Sequence, residues 1–183
     1  MLISKEHNFA FYHTNKCGGT SISQLLNTLG VKFEQVGKKH TPIITKDYDI
    51  TGLTVYATIR DPFARIVSMY SYGKDFSQRK RFKDLSFKDF LYDWYFGKNQ
   101  YIFWPIHEHL FFDGQLPENI VPVKIEECNS KWPEIIEKHF GKKVSRIPWV
   151  NTSTHGEPIG YYSSDMKADV AKKEWWAVER YAE

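Results

Sequence analysis

The sequence predicts an α/β fold, with a central, mainly parallel sheet and helices on both faces, from three observations. Apolar runs starting at Phe9 and covering residues 53–59 and 120–125 read as buried strands, the second of them (Leu-Thr-Val-Tyr-Ala-Thr-Ile) apolar enough to be central in a parallel sheet. Stretches with helical spacing alternate with these runs, which is the pattern of that class. With 183 residues, 42% hydrophobic and 16% aromatic, the chain can bury a proper core, so a single domain over residues 1–183 is expected and disorder is excluded.

The elements follow in order. The strand from Phe9 leads into a glycine-containing turn, and Ile22, Leu25, Leu26 and Leu29 then recur at helical spacing. Residues 31–36 form a short candidate strand. A polar segment follows, and Pro42 discourages helix before it, which puts His40 on a loop or at an element's edge. After the 53–59 strand, Asp61 caps and Pro62 opens a helix whose buried stripe is Phe63, Ile66, Val67 and Tyr70, with the Ser68 hydroxyl off that stripe. Residues 86–96 read as a helix capped by Ser86 with its aromatics in the core. Residues 132–140 read as a helix stopped by Gly141, and 164–181 as a closing amphipathic helix. Arg79, Lys80, Arg81 and Lys83 read as a solvated connector, an acidic acceptor being their functional alternative.

Two stretches carry chemistry. In Lys16-Cys17-Gly18-Gly19-Thr20-Ser21 a strand feeds a helix through a turn, which leaves the first helical N–H groups aimed at the space above the strand. Gly18 and Gly19 admit an anion close to the backbone, Lys16 adds a positive charge, and Thr20 and Ser21 add hydroxyl donors. This is a cradle for phosphate or sulfate. It is not the common nucleotide loop, because the lysine precedes the glycines. In the second stretch, Arg60 stands at the carboxyl end of a strand, where open parallel sheets bind their ligands.

Other classes fit poorly. The net charge of +3 suits an anionic ligand but is too small to indicate nucleic-acid binding. Cys17 and Cys128 make neither a disulfide framework nor a metal set, and His107 and His109 around Glu108 are weak grounds for a metal. No apolar run is long enough to cross a bilayer and no signal-peptide pattern is present, so a chain without a membrane anchor, in the cytoplasm, is expected.

Taken together, the two stretches resemble the sulfotransferases, most closely the carbohydrate sulfotransferases of the Golgi type and their bacterial relatives. Residues 16–21 resemble the loop that holds the 5′-phosphosulfate. Arg60-Asp61-Pro62 with Arg65, Ser68 and Tyr70 resembles the 3′-phosphate segment. The likeness continues more weakly through residues 120–127 and into Asn151-Thr152-Ser153. It implies a P-loop-like three-layer sandwich and sulfuryl transfer from 3′-phosphoadenosine 5′-phosphosulfate (PAPS) to an acceptor hydroxyl, expected on a carbohydrate, with no metal. By the same resemblance Lys16, Cys17, Gly18, Gly19, Thr20 and Ser21 hold the 5′ end, Arg60 and Ser68 the 3′-phosphate, and Thr152 and Ser153 complete the pocket. Lys16 and His40 are the expected catalytic pair, His40 as base and Glu126 as the fallback. Two alternatives stay open: a magnesium-dependent phosphotransferase with a degenerate cradle, and a nucleotide-binding module without turnover.

Overall fold

Five strands in the order β3-β1-β2-β4-β5 form the sheet of this computed structural model, which describes residues 1–43, 49–76, 81–150 and 156–182. β2 (Phe9–Tyr12), β4 (Thr54–Ile59) and β5 (Ile120–Lys124) are parallel, in register from Phe9 against Thr54 and from Val55 against Ile120. β1 (Leu2–Ser4) folds back antiparallel on β2, and the two-residue β3 (Glu34–Gln35) pairs antiparallel with β1. The sheet is therefore mixed. The sequence announces the parallel part and a short strand within 31–36, of which β3 is the paired piece; it does not announce β1 or the antiparallel pairing. β1 is only three residues long and its hairpin closes through a 3-10 turn, Lys5–His7, ending at the left-handed Asn8 (φ 49°), so no alternation develops. β5 carries Pro122, which is tolerated because β5 is an edge strand.

The chain divides into two compact units. The first comprises Met1–Ile59 and Glu108–Asn151 and contains the whole sheet. One face of that sheet (Phe9, Phe11, Tyr56 and Val123) is buried under α1 (Gly19–Asn27) and α5 (Cys128–Phe140) through Ile22, Leu25, Leu26, Trp132, Ile135 and Ile136. Each large side chain removed from water there contributes about 1.5–3 kcal/mol before the entropy of ordering is counted. α5 starts at Cys128 rather than at the expected Trp132, because the 3-10 turn Ile125–Glu127 runs straight into it.

The second unit comprises Arg60–His107 and Thr152–Glu183. Its core joins α2 (Pro62–Ser71), α3 (Phe87–Asp89, continued by a π-helical stretch Phe90–Phe96) and α6 (Ser164–Lys173), through Ile66, Val67, Tyr70, Phe90, Tyr95, Met166 and Val170. The two caps read from sequence are made: Asp61 Oδ1 accepts from Ala64 N–H at 2.8 Å, and Ser86 Oγ from Asp89 N–H at 3.1 Å. A short α4 (Ile106–Leu110) precedes β5 in the chain. The closing helix is not continuous. It breaks at Glu174, between α6 and α7 (Trp175–Ala182), and that residue is wholly buried.

Candidate anion site

The cradle lies at the carboxyl end of β2, within the first unit. Residues 14–17 form a tight turn closed by Cys17 N–H on Thr14 O at 3.4 Å, and Lys16, its third residue, is left-handed (φ 61°). Gly18 (φ 75°) is left-handed too and precedes α1, whose first turn receives no side-chain cap. Both glycines are required by their surroundings. A Cβ on Gly18 would lie 3.0 Å from Ile125 Cδ1 and 3.2 Å from the Trp149 ring, and one on Gly19 would overlap the His13 ring. The start of α1 thus has its dipole and its first N–H groups unmet by any side-chain cap, the feature that makes a helix start favourable to anions in general.

The remaining loop residues divide by role. Cys17 is fully buried with its Sγ on Asn15 O, so it packs the turn and is shielded from reagents. Cys128 is buried as well, and burial pushes its thiol up to about 12. Ser21 Oγ accepts from Val150 N–H at 3.0 Å, tying a later segment to α1. The Thr14 hydroxyl is fully buried and meets no partner among the described residues.

A second turn stands beside the first. Thr41 N–H bonds Lys38 O at 3.1 Å, and His40, the third residue of that turn, has φ 68°. Three bonds pin it: His40 Nδ1 to His13 O at 3.0 Å, Tyr12 Oη to His40 O at 3.4 Å, and Ile43 N–H to His109 O at 3.1 Å. A carbonyl can only accept, so His40 Nδ1 carries the proton and the acceptor nitrogen of the neutral ring is Nε2. The His13 and His40 rings meet edge to face at 4.6 Å. Burial, and then the charges of His40 and Lys39, hold His13 down to about 2, so it is neutral at every ordinary pH. His109 is buried and bonds Tyr12 Oη through Nδ1 at 2.8 Å. Among the described residues no group of three or more side chains could hold a metal ion.

In the second unit, Arg60 is half-buried and directly follows β4 in the chain, ahead of the Asp61 cap. Ser68 is buried at 2% exposure, which corrects the expectation of a hydroxyl turned away from the packed stripe of α2: that helix is buried on most of its surface. Arg65, part of the segment that resembles the 3′-phosphate site, is engaged inside the second unit. It is completely buried, with Nη1 2.9 Å from Glu174 Oε1 and Nη2 donating to Trp104 O. Glu174 also accepts from the Tyr95 hydroxyl and from Ile106 N–H. Glu126 is exposed in the 3-10 turn after β5. Thr152 and Ser153 lie outside the described residues.

Comparison with known proteins decides the family. The sequence model of the Sulfotransferase family matches residues 1–94, which include the cradle, the His40 turn, Arg60 and Ser68. The chain belongs to the sulfotransferase family. Searches of curated proteins and of solved structures gave no match. For a sulfotransferase, the sequence had named the cradle and His40. It did not name His13, whose ring lies where a Cβ on Gly19 would fall, or Lys39, whose ammonium bonds Thr20 Oγ1. Lys39 lies 19 residues from Thr20 along the chain, a distance at which nothing in a single sequence signals contact. His13 could have been found, since it stands directly before the turn. No described helix is long and apolar enough to cross a membrane.

Proposed function

We propose that this sulfotransferase moves a sulfuryl group from PAPS to a hydroxyl of a carbohydrate acceptor. The observation that supports it most is the uncapped start of α1 behind Gly18 and Gly19, with Lys16 on the same turn. The 5′-phosphosulfate would take the free N–H groups of that helix start and the hydroxyls of Thr20 and Ser21. By the family pattern the 3′-phosphate falls to Arg60 and Ser68, arginine's planar fork being suited to phosphate. Thr152 and Ser153 are assigned to the same pocket by resemblance alone.

In the transfer, the acceptor oxygen bonds to sulfur as the bond between sulfur and the 5′-phosphate oxygen breaks. The electron pair of the broken bond leaves on adenosine 3′,5′-bisphosphate. Lys16 faces the charge that grows on that bridging oxygen, and removing such a donor lowers rates by about a hundredfold or more. His40 accepts the acceptor's proton on Nε2, the nitrogen its bond to His13 O leaves as acceptor.

The test is thermal unfolding with adenosine 3′,5′-bisphosphate, AMP or ATP, for wild type and Arg60→Ala. A ligand at a hundred times its dissociation constant adds about 2.7 kcal/mol of apparent stability. Stabilisation selective for the bisphosphate, and lost in Arg60→Ala, is expected. An equal response to all three, or a magnesium-dependent preference for ATP, refutes the PAPS reading.

A further inference from the structure

We infer that Lys39 is the second cation of the cradle and a binding residue for the 5′ anionic group of the nucleotide, phosphate or phosphosulfate; this rests on the nucleotide reading above. Its ammonium lies 3.2 Å from Thr20 Oγ1, on the first turn of α1, and so hangs over the helix start. No carboxylate is within ion-pair distance of it among the described residues, whereas the buried Arg65 of this chain is fully paired. Lys39 is an exposed residue whose ammonium stands at the positive end of the α1 dipole, which disfavours a cation there until an anion binds beside both.

Two further observations agree. Partial burial of the ammonium lowers the pKa of Lys39. Its charge also bears on His13, whose ring touches Gly19, so the cation, the glycine and the helix start occupy one place. The local backbone explains the aim. Lys39 and His40 are the two central residues of the turn over 38–41, and that turn is pinned by His13 O, Tyr12 Oη and His109 O. One fixed turn thus delivers both the cation and the histidine. Lys38, at the corner of the same turn and exposed like Lys39, makes no comparable contact.

Calorimetric titration of the full chain with adenosine 3′,5′-bisphosphate and with adenosine 3′-monophosphate separates the 5′ group from the rest of the ligand. Wild type is expected to prefer the bisphosphate. Lys39→Ala should weaken the bisphosphate about tenfold or more, the scale of a charge-assisted hydrogen bond, and leave the monophosphate nearly unchanged. Lys38→Ala carries the same charge change and should lose little, and Lys39→Arg should retain much of the preference. An unchanged preference in Lys39→Ala overturns the assignment, and so does an equal loss in Lys38→Ala, which would make the effect one of general charge. If wild type binds neither ligand, the nucleotide reading itself fails and the assignment falls with it. Unfolding midpoints of the variants, expected to match wild type, show that the losses are not losses of fold.

Discussion

His13 should make the fold acid-labile well above the pH at which its carboxylates protonate. In the folded chain it is held down to about 2 from an ordinary value of 6.5, first by burial and then by the charges of His40 and Lys39. Above pH 6.5 neither the folded nor the unfolded chain protonates this ring, so it adds no slope. Below 6.5 the unfolded chain binds a proton that the folded chain refuses, and stability falls by about 1.4 kcal/mol per pH unit. At pH 5 the loss is about 2 kcal/mol, or about 4–8 °C in melting temperature for a chain of this size. The perturbation is His13→Asn, which cannot titrate; its packing cost is the same at every pH and cancels in the slope. The assay is urea unfolding of both proteins at half-unit steps from pH 8 to 5. Wild type should lose stability relative to the variant below pH 6.5, and the two curves should run parallel above it. Parallel curves over the whole range would falsify the placement of a buried, unprotonated His13 against Gly19.

Two more outcomes follow from the same geometry. Glu174→Ala strips the counter-charge from the buried Arg65 and should destabilise the chain by about 3–5 kcal/mol in urea unfolding, while bisphosphate affinity of the folded fraction stays near wild type; a cost under about 1 kcal/mol contradicts the structural role given to the pair. Gly18→Ala forces a Cβ into a left-handed position against Ile125 and Trp149 and should cost about 1–2 kcal/mol in stability, with weaker bisphosphate binding by calorimetry; unchanged affinity would remove the glycine from the cradle.

The parts legible in the sequence are those carried by local signals. The buried runs gave β2, β4 and β5, and Asp61-Pro62 and Ser86 gave two helix starts, because periodicity and caps act within a few residues. What escaped depends on chain reversals and on contacts across long separations. β1 is too short to show alternation, and of the candidate strand over 31–36 only Glu34–Gln35 pairs, antiparallel to β1. The break at Glu174 was invisible because a buried glutamate reads as a surface one until Arg65, 109 residues away, is placed beside it. Arg65 was drawn toward the phosphate segment for the same reason: a sequence shows that a cation is present, not that its charge is already neutralised.

The two turns of the cradle show why its residues read as functional even in isolation. In each, the third residue has positive φ, a position that glycine or asparagine occupies at little cost and that other L-residues pay about 1–2 kcal/mol to adopt. The chain places Lys16 and His40 there instead. Neither choice helps the fold, since both turns could close with glycine and the same carbonyl bonds. Holding each strained residue takes further interactions: buried Cys17 behind Lys16, and His13, Tyr12 and His109 around His40. Strain retained at two positions, in the one region where α1 is left uncapped, is accounted for if the side chains have work that glycine cannot do. A left-handed residue projects its side chain on a course that an ordinary turn residue cannot take, which is the geometric consequence of placing Lys16 and His40 at these positions.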